Sequence, residues 1–139
     1  MDHIALGNAF TTALNAQQWD TVANYLADDF TFTGGTAGAL DKQGYIALQK
    51  ANFAAAPDYH AAIENVRDAG DTGYSTVIVS GTQTQPLALP GLPAIPATGK
   101  RFSVTFDTTV TWRGNQLAAM SLEQVGPGLL EQLGIQLPG

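Results

Sequence analysis

The sequence predicts an α+β domain: amphipathic helices packed on one face of a curved antiparallel sheet, with a pocket between the two layers. Three observations predict it. Lys100 to Trp112 alternates, with Phe102, Val104, Phe106, Val110 and Trp112 on one face and Ser103, Thr105, Asp107, Thr109 and Thr111 on the other, which is the period of a half-buried strand. Leu6, Ala9, Phe10, Ala13 and Leu14 fall at i, i+3, i+4, i+7 and i+8, the stripe of a helix with one buried face. Helical spacing is concentrated before Pro57, and strand-like segments follow it. A long strand with one apolar face must lay that face against something, and the helices supply the cover.

The elements follow in order. After the first helix and Asn15-Ala16-Gln17-Gln18, the set Trp19, Val22, Ala23 and Leu26 predicts a second, shorter helix ending at Asp28-Asp29. Phe30 to Thr33 alternates as a short strand and is stopped by Gly34-Gly35. Asp41 is suited to cap a third helix that runs to about Ala55, with Tyr45, Leu48, Ala51 and Ala55 on one side and Pro57 as its stop. Tyr59 to Val66 reads as a strand, Arg67 to Asp71 as a polar turn, and Tyr74 to about Gln85 as the antiparallel partner. Pro86 to Gly99 carries Pro86, Pro90, Pro93 and Pro96 among Leu87, Leu89, Leu92 and Ile95, an apolar loop that cannot pair regularly. Such a loop covers a pocket mouth or a second subunit, or folds onto its own sheet. The long strand, a turn at Arg113-Gly114-Asn115, a last strand from Gln116 to about Val125 and a helical turn at Leu129 to Gly134 complete the chain.

The 139 residues fit one domain, 1–139, with a core of its own. With no cysteine, disulfides, thiolate chemistry and cysteine-ligated metals are excluded. A formal charge of −6, with the six Lys and Arg scattered, argues against a nucleic-acid surface. The acidic start Met1-Asp2-His3 is no signal peptide, and no apolar run has membrane-spanning length, so a soluble cytoplasmic protein is expected.

Several segments resemble, in order, the SnoaL-like polyketide cyclase family of the NTF2-like superfamily. They are Asn15 to Asp20, Ala27 to Phe30, Ala56-Pro57-Asp58-Tyr59-His60, Gly81 to Leu87, Pro96 to Arg101 and the closing Leu129-Leu130-Glu131-Gln132-Leu133-Gly134. The resemblance covers nearly the whole chain and implies an NTF2-like cone: a curved antiparallel sheet and helices around one deep pocket. It also implies a homodimer and cofactor-independent, metal-free aldol ring closure by an acid near the end of the last strand. A carboxylate in an apolar cavity has its charged form disfavoured, so its pKa rises to where it can exchange protons with a carbon acid.

The chain departs from that pattern. Counting back from Gln132-Leu133-Gly134, the position of the family Asp falls at Val125 or in Gly126-Pro127. Glu123 shares the face of Val125 by alternation and is the only acid of the last strand, which makes it the candidate acid/base. The family His of the fourth-strand motif is Gln83 here, a residue that hydrogen-bonds but is no base. Asp107 looks outward if the apolar face of its strand lines the pocket, and inward only if a bulge reverses the phase. His60 has the intrinsic pKa for proton transfer, though Tyr59, Ala61 and Ile63 form the more apolar set beside it. His60 and Asp58 lack a third ligand, so no metal site is expected, and His3 is expected to be terminal and without function.

Trp19, Phe32, Tyr45, Tyr59, Gln83, Phe106 and Trp112 are expected to line the pocket, with Asn52 among its polar groups and Gln83 and Tyr45 orienting the ligand. The sequence therefore supports a cyclase-type enzyme acting on an apolar, carbonyl-bearing molecule, or alternatively a non-catalytic binder of small hydrophobic ligands. A third reading, an Asp-Arg-Asp epoxide hydrolase site, would need Arg67, Arg101 or Arg113 inside the cone. The threonine-rich outer face of the long strand adds to the expectation of a homodimer.

Overall fold

The computed structural model describes residues 2–35, 38–88 and 93–134. Helices α1 (His3–Asn15), α2 (Trp19–Tyr25) and α3 (Lys42–Ala55) cover one face of a sheet built from β1 (Leu26–Gly35), β2 (Gly38–Asp41), β3 (His60–Ala69), β4 (Thr72–Thr82), β5 (Arg101–Arg113) and β6 (Gln116–Val125). A short α4 (Leu129–Gln132) follows. The α+β class and the helical cover agree with the sequence reading. The start of α1 is fixed by the Asp2 carboxylate, which accepts from the Ala5 amide at 3.0 Å. Asp41 caps α3 in the same way through the Gly44 amide at 2.8 Å.

The sheet is mixed rather than wholly antiparallel. Its order is β2-β1-β6-β5-β4-β3, and β1 runs parallel to β6 while every other neighbour is antiparallel. Strand β1 is longer than alternation predicts because Leu26, which keeps the helical spacing of Val22, instead begins the strand beside Leu117. A side chain at Gly34, at φ +87°, would overlap the Leu122 carbonyl, so only glycine lets β1 close on β6 there. The four residues of β2 had no periodicity to reveal them. The β3–β4 hairpin is also tighter than predicted, turning only at Gly70-Asp71.

Strand β5 pairs with β4 from Thr72↔Thr111 to Thr82↔Arg101 without a break, so its alternation survives from end to end. Phe102, Val104, Phe106, Thr108 and Trp112 are buried toward the helices. Phe10, Phe30 and Phe32 gather round Tyr45, with ring centroids 6.4, 5.4 and 5.0 Å away. This aromatic cluster joins α1, β1 and α3. In the proline-rich loop, Leu87 and Ile95 bridge to each other and are buried in the core, so the described ends fold onto their own chain. Leu89, Pro90 and Leu92 of that predicted loop lie outside the described residues.

Candidate functional site

Between the helices and the inner sheet face lies a cavity of about 150 Å³. On α1, His3, Gly7, Phe10, Thr11 and Leu14 line it at spacings of one helical face, and on α3 Tyr45, Leu48, Gln49 and Asn52 do the same. The sheet contributes mainly apolar side chains, among them Val77, Val79, Val104 and Phe106. Arg67 and Asp68, both exposed, mark a rim, and Asp68 is the one carboxylate among the described lining residues.

Polar groups interrupt the apolar lining at three places. Near Phe102, the Tyr59 hydroxyl donates to Gln49 Oε1 at 3.4 Å and accepts from Asn52 Nδ2 at 3.5 Å. Both bonds are long, which leaves capacity for a ligand oxygen. Burial pushes the Tyr59 phenol well above the usual tyrosine range. It does the same to Tyr45, with the neighbouring Tyr59 adding to the effect and the Gln49 hydrogen bond opposing it. Both phenols are therefore neutral donors. In mid-cavity, Ser75 and Thr108 stand in register and are buried, and the Thr108 hydroxyl donates to the Phe106 carbonyl at 3.5 Å. At the far end His3 stacks on Trp112, with centroids 5.2 Å apart and planes within 4°.

Of the residues expected to line the pocket, Phe32, Tyr45, Tyr59, Phe106 and Trp112 do so. Trp19 does not: it meets the edge of Phe53 at 5.8 Å, with the Lys50 ammonium 5.8 Å from its ring centroid. Gln83 does not either, although it is fully buried. Its Nε2 donates to the carbonyls of Gln85, Ile95 and Pro96, and its Oε1 accepts from the Thr98 amide and hydroxyl, so the whole side chain is committed to closing the proline loop.

Glu123, Asp107 and His60 are all exposed. Glu123 stands opposite Asp107, whereas the inward Phe106 stands opposite Gln124, so both acids face away from the cavity. A register shift at Trp112 resets the phase of β6, which turns Leu117, Met120 and Leu122 inward and Glu123 out. His60 pairs with Ser80 on that same outer face.

Sequence reasoning missed Gln49 and Ser75 among the lining residues, and above all His3. The readable signal was its place on the Gly7, Phe10 and Leu14 stripe, directly after a capping aspartate. Arg113 forms an exposed pair with Asp29 at 2.8 Å and Arg101 approaches Asp58 at 3.9 Å, so neither enters the cone. Among the described residues no three His, Asp or Glu side chains gather as metal ligands, and no helix is long and apolar enough to cross a membrane.

A helix-covered mixed sheet with a largely apolar cavity among the described residues is an NTF2-like α+β fold. Residues 8–120 match the SnoaL-like domain, and the chain belongs to that family. In structure it is similar to IdmH from Streptomyces antibioticus, at 21% identity and TM-score 0.77 over 97% of this chain and 100% of that one. It is similar to TsrD from Streptomyces laurentii, at 22% identity and TM-score 0.78 over 98% of this chain and 99% of that one. It also resembles a SnoaL-like polyketide cyclase from Agrobacterium tumefaciens, at 18% identity and TM-score 0.70 over 93% and 95% of the two chains. No curated protein matches it in sequence.

Proposed function

We propose that the cavity takes an apolar, ring-bearing molecule and anchors one of its oxygens on Tyr45, Gln49, Asn52 and Tyr59. The observation that carries this reading is an apolar lining joined to two phenols that burial keeps protonated. A neutral phenol offers a carbonyl or hydroxyl a donor, while the surrounding walls reward removal of apolar surface from water. The test is a thermal-shift and calorimetric series with a hydroxylated bicyclic ketone, 6-hydroxy-2-tetralone, against the native chain and the Tyr45→Phe and Tyr59→Phe variants. Losing one such hydrogen bond costs about 1 kcal/mol, so at least one variant should bind roughly five- to tenfold more weakly. Full affinity in both would remove the phenols from the site.

A second reading, cofactor-independent cyclisation or isomerisation, draws support from membership of the SnoaL-like family and from a neighbour named as a polyketide cyclase. Its proton acceptor has to come from the cavity wall, because Glu123, Asp107 and His60 occupy the opposite face of the sheet. Recovery of bound ligand unaltered favours simple binding, and conversion favours catalysis. Self-association belongs to the same proposal. Tyr74 and Val125, 40% and 47% exposed, lie on the outer sheet face with the threonines of β5, and sedimentation showing only monomer mass would refute a dimer through it.

A further inference from the structure

We propose that His3 and Trp112 form a proton-transfer pair at the β3–β4 end of the cavity, acting on an enolisable ketone. The proposal deepens the ligand-binding reading and rests on it. His3 Nδ1 lies 3.3 Å from the Gly70 carbonyl. A carbonyl can only accept, so Nδ1 carries a proton and the neutral form of the ring has its lone pair on Nε2. The stack on Trp112 holds the plane of the imidazole, and the Asp2 cap holds the helix start on which it sits.

Trp112 supplies the second half of the pair. The residue is 4% exposed and its indole N–H makes no hydrogen bond to the described residues; since no buried polar side-chain atom among them lacks a partner, that N–H opens onto accessible space. The reason is local: Gly73 faces it, and a Cβ there would stand 3.6 Å from Nε1 and 2.9 Å from Val110 Cγ2. Glycine thus leaves a donor uncovered beside a base, and both residues line the cavity.

The step balances within these two groups. Nε2 takes a proton from the carbon next to the ketone, the C–H pair becomes the enolate double bond, and the charge gathers on an oxygen that the indole N–H can hold. Imidazolium then returns a proton to the same or another carbon. The charged groups around His3 are Asp68 of β3 and Asp71 of the following turn, which line the same outer depression, together with Arg67 of β3 and Asp2 beside it in the chain.

The geometry also defines a ligand class. Phe10 lies seven helical steps after His3 on α1, about 10 Å of rise, and packs on Tyr45 at 6.4 Å. A bicyclic or larger ketone with a second oxygen on its far ring spans from the pair to the phenols.

The experiment follows exchange of the α-protons of 6-hydroxy-2-tetralone in D2O by NMR, with binding read from the shifts of its aromatic resonances. The native chain should accelerate exchange above buffer, with a rate that rises as an imidazole loses its proton. His3→Gln should keep binding, lose at least tenfold of the acceleration and lose that pH inflection. Trp112→Phe, which keeps the stack without the N–H, should lose a similar factor, while Glu123→Gln should match the native chain. Native-like exchange by a His3→Gln variant that still binds overturns the pair, as does binding to the native chain without acceleration. Absence of binding overturns the ligand reading itself.

Discussion

Gln83 stands where the resemblance to the family leads one to expect a histidine, which invites a substrate-facing role, yet its amide is spent on the loop between β4 and β5. The carbonyls of Gln85 and Pro96 and the amide and hydroxyl of Thr98 bond to this one side chain, while the Ile95 carbonyl also accepts from the Leu87 amide at 2.8 Å. Gln83→Leu would keep much of the volume and strand those partners in a site where Gln83 is 1% exposed. Several unmet bonds at roughly 1 kcal/mol each predict a loss of about 2–4 kcal/mol, measured as a drop in the urea midpoint. A loss below about 0.5 kcal/mol would show the clamp to be dispensable. Residue identity alone could not separate the two roles, because a buried glutamine satisfied by its own backbone and one aimed at a ligand have the same sequence. The same holds for Glu123: its parity depended on the shift where β6 meets Trp112, and an inserted residue in a strand leaves no mark in an alternating pattern.

The elements were more legible where one face was uniformly apolar, as in α1, α3 and β5, and less so where pairing alone made the structure. Strand β2 and the parallel β1–β6 contact have no local signature, because they arise when the chain closes over Gly34. Another such contact ties the segment before β3 to the end of β4. Asp58 accepts from the Thr82 amide at 2.7 Å and the Thr82 hydroxyl at 3.0 Å. These bonds, the amide foremost, hold its carboxyl below the usual range, with Arg101 helping. A depressed folded pKa contributes stability that is present above the unfolded value, about 3.9, and is lost as the pH falls through the folded one. The native chain should therefore lose stability between about pH 5 and pH 2. Asp58→Asn should lose less over the same interval while starting lower at pH 7. Parallel urea titrations across that range check it, and identical slopes would assign the acid sensitivity elsewhere, with Asp29 beside Arg113 the next carboxylate to test.

At the scale of the molecule, the cone works by keeping one polar cluster out of bulk water. Tyr45 and Tyr59 are both buried, one on α3 and the other at the threshold of β3, and they meet only because the helical layer closes on the sheet. Burial raises both phenols, so each folded-state pKa lies above the unfolded value of about 10. Their contribution to stability is complete below pH 10 and disappears as the pH rises from there toward the folded values. Ionising either phenol inside the closed cone leaves a phenolate among Phe10, Phe32 and Phe53 with little to solvate it. The chain should instead open, so phenolate absorbance at alkaline pH should appear in two steps: one without loss of secondary structure, and a second that coincides with unfolding followed by circular dichroism. Tyr45→Phe and Tyr59→Phe should each diminish only the second step. A cavity ligand that holds the cone closed should move that step to higher pH, because any molecule bound only by the folded state stabilises it by mass action. Full ionisation of all four tyrosines before any unfolding would mean that water reaches the cluster freely, and the phenols would then lose the sealed environment on which their role as neutral donors depends.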